Sequence, residues 1–299
     1  MHLITTDNWD GLVCAVLLSS VEHIEAIQLA SPKALQAQEV AVPQGAIIAN
    51  LPYHPNCALW FDHHISEETR GAHRATGFKG KFGPAPSAAR LIYEYYGGAT
   101  RWGGYAALVD ATDRIDSAHL TLEDVLHPTG YILLAYTIDP RTGLKDLDSQ
   151  AYFLLLMDWL KNLPPAEILE LPEVKHITDR LSAEDEQFRA ALLQHSRLEA
   201  NVVITDFRGV EVPPGNRFLV YTLFPQANVS VRLFDSPDGQ VSTIAVGHSL
   251  FNRTCQTNVG QLLGEYGGGG HRGAGTVRFS KAEAGPKLQA ILQRLKAAG

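Results

Sequence analysis

HLITTDNWDGLVCAVLLSS, residues 2–20, opens on a strand and closes in a helix. Leu3 and Ile4 suit a short buried strand, and Leu12, Val13, Val16 and Leu17 then recur at helical spacing. The polar stretch Thr5–Gly11 therefore falls where a strand hands over to a helix. In an open α/β sheet that is the carboxyl end of a strand, where ligands bind. Moving outward, IEAIQLA (24–30), GAIIANLP (45–52) and NCALWFDHH (56–64) read as three more strands, each ending in polar residues. Four strands that deliver polar groups at their ends predict an α/β domain with a mostly parallel sheet and a site along one sheet edge.

Beyond Asp62 a Gly/Lys/Arg-rich loop, with Arg70, Arg74, Lys79 and Lys81, is expected to run to Pro86. SAARLIYEYYGG (87–98) then predicts a helix capped by Ser87 and stopped by its glycine pair. GYAALVDATDRIDSA (104–118) predicts another, and residues 120–159 hold more helix around the loop TIDPRTG (137–143). A helix over 182–200 is expected to link two domains. From Asn201 the pattern turns to strand-like blocks: NVVITDF (201–207), RFLVYTLF (217–224), NVSVRLF (228–234) and VSTIAVGHS (241–249). A helix near 258–266, four glycines, a strand near 276–279 and a terminal helix complete a smaller α/β domain. The expected boundaries are 1–180, a linking helix 181–200, and 201–299.

With 299 residues the chain has room for two cores. Its hydrophobic content of 45% is that of a globular protein, and a net charge of -7 excludes a protein that coats long nucleic acid by bulk charge. The charge is uneven: residues 201–299 hold 10 basic and 6 acidic residues, and the acidic excess lies in the first part. The three cysteines, Cys14, Cys57 and Cys255, form no CxxC pair, which argues against a disulfide scaffold and against zinc held by thiolates. No apolar run approaches the length of a membrane span and no leader-like segment opens the chain, so a cytoplasmic protein is expected.

Asp62-His63-His64 is the strongest local signal, because neutral imidazole is both a metal ligand and a donor to phosphate. Asp10 ends the first polar turn, Asn50 ends another strand, and Asp110 interrupts an apolar helix, where a carboxylate is costly unless paired or metal-bound. Asp7 lies nearby and is read either as a ligand or as a helix cap, while Asp113 and Asp116 are expected on the exposed helix face. Oxygen and imidazole donors without thiolates suit Mn²⁺, or Mg²⁺ with more water. Trp9, Tyr53 and Trp60 are candidates to stack a base, with Trp60 also a candidate core residue.

In the second domain the run Gly267–Gly270 can expose backbone N–H groups to an anion, and His271 and Arg272 add donors. No Gly-Lys-Ser/Thr ends it, so it is not a nucleoside-triphosphate loop. His248 and Arg253, in GHSLFNRTCQTN, are further phosphate-binding candidates. Arg141, in the Asp-Pro turn, is a weaker one.

DNWDGLVCAVLL (7–18), NLPYHPNCALWFDHH (50–64), DATDRIDSA (110–118), DPRTGL (139–144), VGHSLFNRT (246–254) and NVGQLLGEYGGGGHRGAG (258–275) together carry a resemblance. The chain resembles the DHH/DHHA1 phosphoesterase superfamily, and within it a bacterial exopolyphosphatase-like group. The resemblance implies a DHH-type catalytic domain, a DHHA1-type substrate-binding domain, a cleft between them and two metals at the strand ends. Carried over, one metal would use Asp10, Asn50, His63 and Asp110, with Asp62 and His64 also catalytic and His64 toward the phosphate. The other would use Thr6, Asn8 and Asn50, with Asp7 as an alternative. The second domain would bind substrate through His248, Arg253, Gly268, Gly269, Gly270, His271 and Arg272.

Where the family carries acidic or imidazole ligands, Thr6, Asn8 and Asn50 are neutral, so one Mn²⁺ or Mg²⁺ is expected rather than two. Three functions follow. The first is metal-dependent hydrolysis of phosphodiesters in short oligonucleotides or dinucleotides. The second is exopolyphosphatase action on polyphosphate. The third is nucleotide binding with weakened catalysis. The resemblance also makes a homodimer reasonable.

Overall fold

Short apolar runs of about one strand length build the first sheet. The computed structural model describes residues 1–64, 78–139, 142 and 148–297; Arg70, Arg74 and Arg141 lie outside them. The chain divides into two compact units, Met1–Leu120 with Pro128–Arg180, and Thr121–His127 with Leu181–Gly299.

In the first unit β1 (His2–Thr5), α1 (Trp9–Ser19), β2 (Ala26–Leu29), α2 (Pro32–Gln36), β3 (Ala46–Ala49) and β4 (Cys57–Asp62) follow one another. A fifth strand, β5 (Lys79–Phe82), closes the sheet in the order β2-β1-β3-β4-β5, all parallel. The segment containing β5 was expected to be loop throughout. Its sequence, KGKF, hides the strand: lysines alternate outward on a sheet edge, where they also discourage further pairing. Gly80 is required there, because at φ +122° a Cβ would stand 2.1 Å from the Trp60 carbonyl oxygen.

Alternate residues Ile4, Ile48 and Trp60 join Leu35, Val42 and Leu51 in one apolar cluster. Trp60 is fully buried and donates its indole N–H to the Leu51 carbonyl, and Tyr53 packs edge-on against it. Trp9 is buried too, donating to Thr112 Oγ1 at 3.0 Å. Neither tryptophan is available to stack a base, contrary to the expectation for Trp9.

Helix α1 is buried on every side from Trp9 to Leu18, which explains its continuous apolar sequence. Around it pack α3 (Ala88–Tyr95), α4 (Ala106–Asp116) and, after α5 (Gly130–Ile138), α6 (Ser149–Asn162). Ser87 caps α3 by accepting from the Arg90 N–H, as expected.

Helix α7 (Pro172–His195) carries the chain from one unit into the other. The helical reading of 182–200 ends early, at His195. Ser196–Glu199 is strand β6, in a hairpin with β7 (Val202–Asp206) turned by Ala200 at φ +55° and Asn201. After α8 (Leu219–Leu223) come β8 (Val229–Asp235), β9 (Val241–His248), α9 (Val259–Gly264), β10 (Gly269–His271), β11 (Ala274–Ser280) and α10 (Lys281–Ala297). The sheet order is β10-β11-β9-β8-β7-β6, antiparallel except for the parallel β7–β8 pair. RFLVYTLF was expected as a strand and instead forms the one-turn helix α8. Asn216 turns the chain there: its carbonyl accepts from Leu219 N–H and its side chain from Phe218 N–H. A short apolar run alone does not separate the two outcomes. Among the described residues no helix is long and apolar enough to cross a membrane.

Candidate metal centre

In the first sheet the chain leaves β1 toward one side and returns at β3 on the other. The carboxyl ends of β1 and β3 thus flank the switch point where open α/β sheets bind ligands. Thr6, Asn8 and Asp10 follow β1, Asn50 follows β3, and Asp62, His63 and His64 end β4.

Asp10 sits in the first turn of α1, wholly buried. Its two oxygens accept from the backbone N–H groups of Ala88 and Ala89, each at 2.9 Å, so the N-terminus of α3 holds it in place. His63 lies 3.7 Å from Asp10 Oδ2 through Nε2. Its Nδ1 is 3.0 Å from the Ala85 carbonyl, which only accepts, so Nδ1 carries the hydrogen. Nε2 faces the two carboxylates and is buried without a hydrogen-bond partner. A cation there would satisfy that arrangement, and a backbone contact that fixes the other ring nitrogen is the usual support of a ligating histidine.

The third member is Asp116, the last residue of α4, whose Oδ2 is 3.2 Å from His63 Nε2. Ligand atoms of Asp10, His63 and Asp116 all lie within 4.8 Å of one another. Asp116 is exposed as a residue at the helix end, but its side chain turns inward and is only 26% exposed. Burial, then the charge of Asp10, pushes its carboxyl up to about 7. Burial also raises Asp10, against the opposing pull of His63 and the two backbone donors. Two carboxylates and one imidazole, converging with an orphaned nitrogen between them, fit a divalent cation.

This corrects the expectation for α4. Asp110, expected beside Asp10, is 67% exposed and paired with Arg90 at 2.6 Å. Asp113, expected on the solvent face, accepts from Ser87 and Arg90 and ties α4 to the start of α3. Asp116, expected on the exposed face, supplies the carboxylate instead. The alternative ligand Asp7 is exposed at the turn, and the cap of α1 is Asn8, whose Oδ1 accepts from Gly11 N–H.

Asp62 is fully buried, and its Oδ1 accepts from the His63 N–H at 2.9 Å and from His64 Nδ1 at 2.7 Å. The Asp62 contact raises the His64 pKa and sets its ring beside that of His63, with centroids 4.4 Å apart. Asp62 Oδ2 and Asn50 Oδ1 are buried without partners. Thr6, Asn8 and Asn50 form a hydrogen-bonded group of their own: Thr6 Oγ1 donates to Asn8 Oδ1 at 2.7 Å, and Asn50 Nδ2 donates to Thr6 Oγ1 at 2.9 Å.

In the second unit the glycine run is not an open loop, since Gly269–His271 is the edge strand β10. A Cβ on Gly268 would meet the Thr276 carbonyl at 2.5 Å and one on Gly270 the Ala274 carbonyl at 2.2 Å, so close backbone packing explains both. Gly269 has open space at its Cβ position, and His271 and Arg272 are exposed at the turn into β11. His248 Nε2 donates to the Thr257 carbonyl; burial lowers its pKa, and the charge of Arg272 acts the same way. Arg253 Nε donates to the Leu250 carbonyl. Sequence reading passed over Arg232, which stacks on Phe188 with no ion pair among those of the described residues.

No family model matches the sequence, and no curated protein matches it. Solved structures do. The pGpG-specific phosphodiesterase PggH from Vibrio cholerae is 35% identical over 100% of this chain and 99% of its own, with a TM-score of 0.88. RecJ in complex with Mn²⁺ from Thermus thermophilus is 15% identical, with a TM-score of 0.56 over 99% of this chain and 52% of its own. A second structure, exonuclease RecJ bound to manganese, is 14% identical over 100% of this chain and 90% of its own, with a TM-score of 0.54. The two RecJ structures share the fold.

Proposed function

The chain belongs to the DHH/DHHA1 phosphoesterase superfamily, and from that premise we propose that it is a metal-dependent phosphodiesterase acting on short 5′-phosphorylated dinucleotides of the pGpG kind. The observation that carries the reading is the convergence of buried Asp10, part-buried His63 and the inward-turned side chain of Asp116, with the buried His63 Nε2 3.7 Å and 3.2 Å from the two carboxylates. The end-to-end similarity to a pGpG-specific phosphodiesterase supports the substrate class.

These three side chains would hold Mn²⁺ or Mg²⁺, as their donor types favour. When bound, such an ion supplies charge neutralisation at phosphoryl oxygens and lowers the pKa of water. The protein's own groups do the rest. Ala88 and Ala89 fix the Asp10 carboxylate, and Ala85 fixes the His63 ring. Asp62 engages His64 Nδ1, which leaves Nε2 as the atom that meets a phosphate oxygen. In the second unit we assign anion binding to His271 and Arg272, which are exposed beside His248.

Hydrolysis of pGpG, a six-nucleotide RNA and medium-chain polyphosphate is measured with Mn²⁺ and with chelator, for wild type and His63→Ala. We expect Mn²⁺-dependent cleavage of pGpG that falls to background in the variant. Preference for polyphosphate would replace the substrate class. Tight pGpG binding with no turnover would replace hydrolysis by a binding role.

A further inference from the structure

We propose that the centre holds one divalent ion, not two, because Thr6, Asn8 and Asn50 close the second position with their own hydrogen bonds. The proposal deepens the metal-dependent reading above and rests on it.

A two-ion site would need ligands at the ends of β1 and β3, where these three residues stand. Asn8 Oδ1 accepts from Gly11 N–H at 2.9 Å, from Thr6 Oγ1 at 2.7 Å and from Asn50 Nδ2 at 3.2 Å. A carbonyl oxygen has two lone pairs, so three donors leave it nothing for a cation. The backbone donor also settles the amide orientations. Gly11 N–H requires an oxygen on Asn8, and that oxygen in turn requires the nitrogen of Asn50 to face it. Thr6 Oγ1 spends its hydrogen on Asn8 and accepts from Asn50 Nδ2 at 2.9 Å.

The backbone locks the group further. Gly11 packs so closely under Thr6 that a Cβ would lie 2.2 Å from the Thr6 carbonyl, and Asn50 holds a left-handed φ of +57° with its N–H on Phe61. Of the whole group only Asn50 Oδ1 is a buried oxygen without a partner. One neutral oxygen brings no charge to offset a second dication beside the first. The three charged or imidazole donors that converge, Asp10, His63 and Asp116, serve a single ion.

The test counts ions and their coupling without relying on turnover. Purified protein is loaded with excess Mn²⁺, dialysed, and examined by metal analysis and electron paramagnetic resonance. We expect one Mn²⁺ per chain with the six-line spectrum of an isolated ion, and none in His63→Ala. The double variant Asn8→Asp/Asn50→Asp restores two carboxylates, and Asp keeps the capping role of Asn8. We expect it to take up a second ion and to show the many-line spectrum of an exchange-coupled pair.

Two coupled ions in wild type, with Mn²⁺-dependent hydrolysis intact, would overturn this inference and leave the proposed function standing. No retained ion and no Mn²⁺-dependent rate would overturn both. A folded double variant still holding one ion would overturn the assignment to these residues. Should that variant fail to fold, the wild-type count and spectrum decide alone.

Discussion

Replacing Asp116 by Asn should stabilise the metal-free protein while removing its response to metal, and the two effects have opposite signs. In wild type without metal, Asp116 shares a buried neighbourhood with Asp10, and its carboxyl sits near 7. Moving a carboxylate from its ordinary range to that value corresponds to about 4 kcal/mol held against the charged form above neutral pH. The side chain is 26% exposed, so solvent screens part of this, and recovery of about 2 kcal/mol is the realistic expectation. The introduced amide N–H can also donate to His63 Nε2, which otherwise has no partner.

The pH dependence has a defined direction. Between about pH 4 and pH 7 the folded protein holds a proton that the unfolded chain releases. Metal-free wild type therefore loses stability as pH rises through that window, and the variant lacks the Asp116 share of this slope while keeping that of Asp10. The assay is thermal unfolding in chelator at pH 5 and pH 8, repeated with Mn²⁺. At pH 8 in chelator the variant's transition should lie roughly 4–8 °C above wild type for a domain of this size. With Mn²⁺ the order should reverse, because only wild type keeps both carboxylates for the ion. A metal-free variant less stable than wild type, with its Mn²⁺ shift intact, would refute the reasoning and make Asp116 a structural acid.

His63→Ala should retain no Mn²⁺ after dialysis and should cut pGpG hydrolysis to the chelator background. Gly80→Ala forces a Cβ onto the Trp60 carbonyl at a positive φ and should cost about 2–5 kcal/mol, read by denaturant unfolding. Arg272→Ala should raise KM for pGpG about tenfold with kcat within about twofold, consistent with the size of one charge-assisted contact. An unchanged KM would move anion binding elsewhere in the second unit.

The first sheet was legible because each buried strand is a compact apolar run that stops at polar residues, as Ile47–Ile48 before Asn50 and Leu59–Phe61 before Asp62 do. Strand β5 was not, since an edge strand meets solvent and its lysines imitate a loop. Helix α8 failed for a related reason. Leu219, Val220 and Tyr221 are all buried, so no period of two or of 3.6 shows in so short a run. The glycine run was read for its conformational freedom. What it mostly serves is close approach, with α9 resting on β10 so tightly that a Cβ on Gly260 would lie 2.4 Å from the Gly270 carbonyl.

The site was half legible, and α4 shows where reading failed. Asp110 drew attention because it interrupts apolar letters, but letters adjacent in sequence are not adjacent on a helix. At about 100° per residue, Asp110 and Asp116 point roughly 120° apart and cannot serve one ion together. The buried residues of α4 are Leu108, Val109 and Thr112, and Thr112 accepts from Trp9 below the site. Asp116 stands seven residues after Val109 and four after Thr112, on the same stripe, whereas Asp110 is off it. Asp113, between the two, shares Arg90 with Asp110 and fixes α3, whose first N–H groups hold Asp10. Three aspartates at a spacing of three thus divide into a solvent-side pairing, a brace and a candidate ligand, because each step of three turns the side chain by about 60°.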